Sequence, residues 1–215
     1  DSERITVTHL GVNHDLFYPR PQEEIDVARK QFRLGRHYFL FTGRLEKKKN
    51  VLALVQAFEQ FKSGRGIGDP YELVLVGHPG YGFEELKRYV EALPFKDSVK
   101  SLGYVPLDSL PALLSGASAC VMPSWYEGFG LTNLEAMACG APVIASDIAP
   151  HHEVCANAAF YISPKESQTI TRMFLQLAEN PSAVEQKRKQ GIARSKVFSW
   201  QHTAQQTWNA LRSLV

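Results

Sequence analysis

An α/β fold built on a parallel sheet of about six strands is what this sequence of 215 residues predicts. Three observations carry that reading. Short apolar runs recur along the chain, separated by segments long enough to form helices. The runs do not alternate apolar with polar residues, as Leu73-Val74-Leu75-Val76 illustrates, so the strands should be covered on both faces. Glycine recurs where a run gives way to a loop. Strands divided by helix-length segments imply parallel pairing through right-handed crossovers, with helices on both faces of the sheet.

Residues 1–22, rich in turn formers, read as a leading segment and not as a domain. Strand-like runs follow at residues 38–42, 73–76, 99–102, 119–122, 143–145 and 159–162, each close to loop-forming glycine, proline or polar residues. Helical stripes lie between them. Val51, Leu54, Val55, Phe58 and Phe61 form one; Leu86, Tyr89, Val90 and Leu93 another; Leu110, Leu113 and Leu114 a third. From Lys165 the pattern is helical, with Pro181 at a helix start. Trp200, Ala204, Thr207, Trp208 and Leu211 make a last amphipathic stripe. In parallel sheets ligands sit beyond the carboxyl ends of the strands. That rule singles out Gly43-Arg44, Gly77-His78-Pro79-Gly80, Gly103-Tyr104-Val105-Pro106, residues 124–130 and Ser146-Asp147. Any one such glycine can be an ordinary turn residue; five loops at one edge point to a shared crevice.

The most telling stretch is Glu127-Gly128-Phe129-Gly130-Leu131-Thr132-Asn133-Leu134-Glu135, with a second carboxylate eight positions after the first. Glycines allow backbone to approach a ligand, and a helix starting there aims unpaired N–H groups at it, which suits a phosphate. Two carboxylates would repel that phosphate, so they are better matched to hydroxyls on either side of it. A sugar, a diphosphate and a ribose in one molecule meet the description, and a nucleotide sugar is the leading ligand. Glu135 lies among Leu131, Leu134, Ala136, Met137 and Ala138, where a buried charge is costly unless paired or hydrogen-bonded. A ribose cis-diol can donate twice to it; backbone amides or an Arg are the alternative partners. Glu127 would face the sugar, or be a surface loop acid. Arg44 and Lys49 could neutralise a diphosphate, since a cation at a helix start opposes the macrodipole unless something negative is present. Two solvated basic residues are the other reading.

Other chemistries find less support. A formal charge of +2 and a single dense basic cluster, Lys47-Lys48-Lys49, give no case for nucleic acid; a solvated helix start explains such a triplet. Cys120, Cys139 and Cys155 have no C-x-x-C spacing, and Cys120 in an apolar run and Cys139 among small residues fit reduced, buried thiols in a cytoplasmic compartment. No signal peptide or membrane-length apolar stretch occurs, and the chain begins Asp1-Ser2-Glu3 without an initiator Met, as a fragment would. No Asp-x-Asp pair offers Mg²⁺ or Mn²⁺ a site, so no metal or other cofactor is expected. His151-His152 point apart on a helix and suit a helix-start role. His78 can touch ligand or be structural. Neither a Gly-x-Ser-x-Gly elbow nor a Walker A loop is present.

Residues 43–50, Leu75-Val76-Gly77, Gly103-Tyr104-Val105, residues 123–130 and residues 135–145 recur in an order that closely resembles one known family. They are similar to the C-terminal, donor-binding domain of retaining nucleotide-sugar glycosyltransferases of the group 1, or family 4, type. The likeness covers roughly residues 5–210. It implies a Rossmann-like sheet that is one half of a GT-B fold. It divides the chain into a connection between halves at 1–20, a donor-binding domain at 21–195 and a closing helix at 196–215 that packs toward an N-terminal acceptor domain.

By the same resemblance Glu127 and Glu135 are the E-x7-E element, with Glu127 on the donor sugar and Glu135 on the ribose. Arg44 and Lys49 take the diphosphate, next to Gly43 and Gly77. Tyr104, Val105 and Pro106 hold the base, and the amides of Gly128, Phe129, Gly130, Leu131 and Thr132 hold phosphate and sugar. Arg44, Lys49 and Glu127 are then the catalytic set, acting without metal. Trp125, where a smaller apolar residue is more usual, and Lys48, often Arg, depart from the pattern but leave the spacing intact. The implied reaction moves a hexose to an acceptor hydroxyl with retained configuration. GDP-mannose is favoured slightly over a UDP-glucose type of donor because residues 147–164 look somewhat like bacterial mannosyltransferases. The acceptor would be a lipid-linked or soluble glycan, at a cytoplasmic site or on the membrane surface. Without the acceptor half, little transfer is expected. A nucleotide-sugar epimerase and a non-catalytic nucleotide- or glycan-binding scaffold are the rival readings.

Overall fold

The computed structural model describes residues 5–66 and 68–213. The first four residues of the expected connection and the last two of the closing segment therefore lie outside the described residues. Six strands, β1 (His37–Thr42), β2 (Tyr71–Val76), β3 (Val99–Gly103), β4 (Ala119–Met122), β5 (Val143–Ser146) and β6 (Ala159–Ile162), form one sheet in the order β3-β2-β1-β4-β5-β6. Every pairing is parallel. All six predicted runs fall inside these strands. β2 starts two residues earlier than its apolar run, because half-buried Tyr71 and Glu72 continue the ladder opposite His37 and Tyr38.

The helices α1 (Gln22–Phe32), α2 (Val51–Arg65), α3 (Phe83–Glu91), α4 (Leu110–Gly116), α5 (Leu131–Ala138), α6 (Ala149–Cys155), α7 (Ser167–Glu179) and α8 (Pro181–Ser195) are divided between the two faces, and α9 (Trp200–Arg212) ends the described chain. Right-handed crossovers place α2 and α3 on one face, and α4, α5 and α6 on the other. α7 joins α2, while α1 joins α4 and α8 joins α5. Successive β1 residues serve opposite layers. Phe39 reaches α2 and α7, its ring centroid 5.6 Å from Phe61 and 3.9 Å from Phe174. Tyr38 points the other way and donates its hydroxyl to the Leu113 carbonyl of α4 at 2.7 Å. Both residues are fully buried. Fully burying side chains of this size contributes about 1.5–3 kcal/mol each.

Local chemistry explains where elements begin. Asn180 accepts the amide of Ala183 at 3.1 Å and caps α8, whose first residue is Pro181; a missing N–H costs nothing there. Ser199 caps α9 by accepting the amide of His202 at 3.1 Å. The leading segment is tied to that same helix start through a parallel bridge between Val12 and Ser199 and a 2.6 Å bond from Thr203 Oγ1 to the His9 carbonyl. α9 itself buries none of its described residues, and Trp200, Trp208 and Leu211 are exposed.

The sheet order reverses direction between β1 and β4: later strands add outward from β1 on one side and from β4 on the other. Chain leaving these two neighbours diverges onto opposite faces, and a crevice opens at their carboxyl ends. The loops carrying Arg44, Lys49 and Glu127 start there.

Candidate functional site

Three glycines lace the loops after β1, β2 and β3 together by main chain. Gly43 donates its N–H to the Val76 carbonyl at 2.9 Å, and Gly77 donates to the Gly103 carbonyl at 2.8 Å. Gly77 has φ 142°, and a Cβ on it would fall 1.9 Å from the Gly43 carbonyl oxygen. No other residue fits. Beyond this seam lies a cleft of about 670 Å³ whose walls include Gly43, Arg44, Gly77, Tyr104 and Val105. Its surface is largely apolar through Val76, Leu107 and Leu110, and His78 stacks on Tyr104 with centroids 5.6 Å apart and planes 20° apart. A flat aromatic face beside an apolar wall suits a planar ring. Pro106 stands outside the lining, exposed, with its carbonyl accepting the Ser109 amide at 3.0 Å. Leu107 and Leu110 line the cleft where Pro106 does not, and nothing in the sequence separated them from ordinary helix-start residues.

Arg44 is exposed and makes no side-chain hydrogen bond or ion pair among the described residues. Lys49 differs. It ends the 3₁₀ turn Lys47–Lys49 and reaches across to the β4 loop, where its Nζ lies 2.6 Å from Glu127 Oε1. The Ser124 hydroxyl donates to the same oxygen at 2.7 Å. Both ends of the pair are largely shielded, with side-chain exposures of 19% and 16%. The loops are also joined by the Trp125 amide, which donates to the Lys48 carbonyl at 2.9 Å. The two residues expected on diphosphate and on sugar therefore hold each other across the switch between β1 and β4.

α5 begins at Gly130, whose φ of 110° lies in the left-handed range. The Asn133 and Leu134 amides bond back to the Gly130 carbonyl at 3.0 and 3.3 Å. Those of Leu131 and Thr132 have no backbone acceptor among the described residues and remain open to an anion. Gly128 is exposed, with open space where a Cβ would stand. The Phe129 ring turns away to pack near His9 and Phe198, at 6.1 and 5.9 Å between centroids, so only its main chain is available to a ligand.

Further along α5, Glu135 is half-buried between buried Leu134 and Ala136, and its carboxylate has no hydrogen-bond partner among the described residues. Burial alone pushes its carboxyl up to about 7. Neither backbone amides nor an Arg meets it. Beside it in sequence, Asn133 is 1% exposed, and both its Nδ2 and Oδ1 lack partners. His151 of α6 is fully buried; its Nδ1–H donates to the Ser146 carbonyl at 3.0 Å while Nε2 is unpartnered. Each such orphan costs about 1–3 kcal/mol. Burial holds the imidazole below its ordinary value, so it stays neutral. His152 points outward and pairs with Asp147 at 2.6 Å. Spacing separated the two histidines correctly but gave no sign that one ends in a buried acceptor.

Among the described residues no three His, Cys, Asp or Glu side chains gather as a metal set. Cys120, Cys139 and Cys155 are free and buried, and burial raises all three thiols. No described helix is long and apolar enough to cross a membrane.

Comparison with known proteins places this geometry. The family model described as Glycosyl transferases group 1 matches residues 22–196. O-antigen chain mannosyltransferase B of Escherichia coli is 34% identical over 213 residues, covering 99% of this chain and 55% of that protein. O-antigen chain mannosyltransferase RfbU of Salmonella typhimurium is 33% identical, covering 86% and 47%. Among solved structures, sucrose-phosphate synthase from Thermosynechococcus elongatus superposes with a TM-score of 0.82 at 28% identity, over 95% of this chain and 51% of that one. The chain thus spans about half the length of these relatives. It belongs to the group 1 glycosyltransferases, as a C-terminal domain of their GT-B fold.

Proposed function

We propose that the protein moves a hexose from a nucleoside-diphosphate sugar to an acceptor hydroxyl with retained anomeric configuration, and that this chain supplies the donor site. The observation that carries the reading is Glu135. A half-buried carboxyl with no partner among the described residues, on a helix whose first amides are open, asks for a ligand with hydroxyl donors next to an anion. A ribose diol on Glu135, a diphosphate on the Leu131 and Thr132 amides and a base against His78 and Tyr104 meet those demands together. The O-antigen mannosyltransferases among the relatives favour a mannosyl donor, GDP-mannose before UDP-glucose.

The chemistry follows from charge. The anomeric C–O bond to the diphosphate breaks while the acceptor oxygen bonds to the same face of the sugar, and the acceptor proton leaves with the diphosphate. Negative charge grows on the leaving oxygens, and Arg44 with Lys49 meets it, by planar fork and by point charge. No metal is assigned a part. Lys49 enters the free site already paired with Glu127, so donor binding divides that pair: ammonium to phosphate, carboxylate to a sugar hydroxyl. Ser124 keeps the carboxylate in place during the exchange. The remaining half of a relative-sized chain would bring the acceptor, a lipid-linked or soluble glycan. Three free, buried thiols suit a reducing cytoplasmic setting.

The test is incubation of the full-length protein with GDP-mannose, with and without an acceptor glycan, followed by product analysis. Transfer with retention, dependent on acceptor, is expected. Consumption of donor without acceptor would instead mark an epimerase or hydrolase.

A further inference from the structure

The E-x7-E carboxylates, the basic pair and the glycine amides leave one cluster unused. Asn133 and His151 come from α5 and α6, are buried to 1% and 0% exposure, and contribute three polar atoms that find no partner among the described residues. They meet under one point of the rim. A Cβ built on Gly130 would lie 3.2 Å from Asn133 Nδ2 and 3.5 Å from His151 Cδ2, the ring carbon bonded to Nε2. The missing side chain of Gly130 is what lets both groups come this close beneath the loop that opens the site.

Their chemistry is defined. His151 Nδ1 carries its proton, because the Ser146 carbonyl it faces can only accept, so Nε2 is a bare acceptor. Asn133 offers a donor and an acceptor. A hydroxyl satisfies such a set, by donating to one group and accepting from another, whereas a phosphate cannot donate to the imidazole. The Lys49–Glu127 pair lies near enough to act on the imidazole, Lys49 opposing its charge and Glu127 favouring it. The cluster is therefore within electrostatic range of the residue assigned to the sugar. Both groups are buried, so a ligand reaches them only if the covering loop lifts; Gly128 in that loop is exposed, with nothing within 4 Å of its Cβ position.

We propose that Asn133 and His151 form a subsite beneath Gly130 that receives one hydroxyl of the transferred hexose, which donates to His151 Nε2 and accepts from Asn133 Nδ2. The subsite rests on the donor reading above and adds to it a means of sugar selection. A site built to hydrogen-bond a hydroxyl rejects a sugar lacking it or presenting it on the wrong face, since its buried polar groups are then left unpaired. It is a contact by side chains, where the amides of the glycine loop discriminate little.

The test compares sugar-bearing and sugar-free ligands. The chain, His151→Phe and Asn133→Leu are titrated calorimetrically with GDP, UDP, GDP-mannose and UDP-glucose. Asn133→Leu removes only unpartnered polar atoms and should melt no lower than the parent, whereas His151→Phe also gives up the bond from Nδ1 to the Ser146 carbonyl and should melt somewhat lower; should His151→Phe not fold, His151→Gln takes its place and, by keeping an acceptor, should retain part of the sugar affinity. The expected result is an unchanged nucleoside diphosphate Kd with a nucleotide-sugar Kd weakened by about tenfold or more. Variants that bind donor as the parent does would overturn the subsite and leave the donor site standing. A parent chain that binds none of the four ligands would overturn the donor reading, and the subsite with it.

Discussion

On the proposed reading, Glu135 is costly to the free protein and useful to the bound one. Its carboxyl is pushed from 4.5 up to about 7, so between those values the folded chain holds a proton that the unfolded chain has lost. The stability this gives is fully present below about pH 4.5 and disappears as pH rises through about 7. Glu135→Gln should therefore stabilise the free chain by roughly 1–3 kcal/mol at pH 8, the lower figure allowing for its partial exposure, and leave it unchanged at pH 4, measured by urea unfolding at both values. Nucleotide affinity should run the other way, weakening from pH 8 to pH 6 in the parent and losing that dependence in Glu135→Gln. Arg44 separates binding from folding more cleanly still. Because it is exposed and unpartnered, Arg44→Ala should shift Tm very little while lowering kcat/KM of the full-length enzyme by about 10²–10³-fold. Lys49→Ala should cost a similar factor in rate and also lower Tm, because Glu127 then loses its cation. These residues could be singled out in the sequence because their types and spacing are unusual. The bond between Lys49 and Glu127, 78 positions apart, was not, since only the sheet order brings their loops together.

Among the elements, strands were the easiest to read. A parallel strand buried on both faces has to be continuously apolar, and loops or polar helix starts interrupt such runs sharply. α1 has no counterpart in the sequence periodicity, because only Ile25 and Ala28 are buried on it. Its marks are at the ends: Pro21 before it, Glu23 and Glu24 in the first turn, Arg29 and Lys30 in the last. α9 is the reverse case, an amphipathic stripe plain in the sequence that buries none of its described residues. Asn133 and His151 could not be recognised as a pair, since polar residues in short helices look alike until burial is known. The seam of glycines makes an element-scale prediction. Gly77→Ala would place a methyl carbon on the Gly43 carbonyl and hold φ in a range that side chains avoid. A loss of about 3 kcal/mol or more in unfolding free energy is expected, together with loss of nucleotide binding at temperatures where the variant is still folded.

For the molecule as a whole, the lengths of the relatives set the expectation. A chain spanning about half of them should bind nucleoside diphosphates and yet transfer sugar far more slowly than the full-length protein, as a radiolabelled transfer assay on both would measure. The same molecule-wide core keeps Cys120, Cys139 and Cys155 out of reach. A thiol reagent should label none of them at pH 8 in the native chain and all of them in guanidinium.

The seam between Gly43, Gly77 and Gly103 also bears on how such an enzyme can change over generations. Along this seam the rim keeps its shape through peptide groups, so the side chains of His78, Tyr104, Leu107 and Trp125 are not needed to hold it. Descendants of this gene are free to exchange those side chains and adopt a new base or a new hexose, one substitution at a time, without passing through an unfolded ancestor. The scaffold stays fixed while its chemistry drifts.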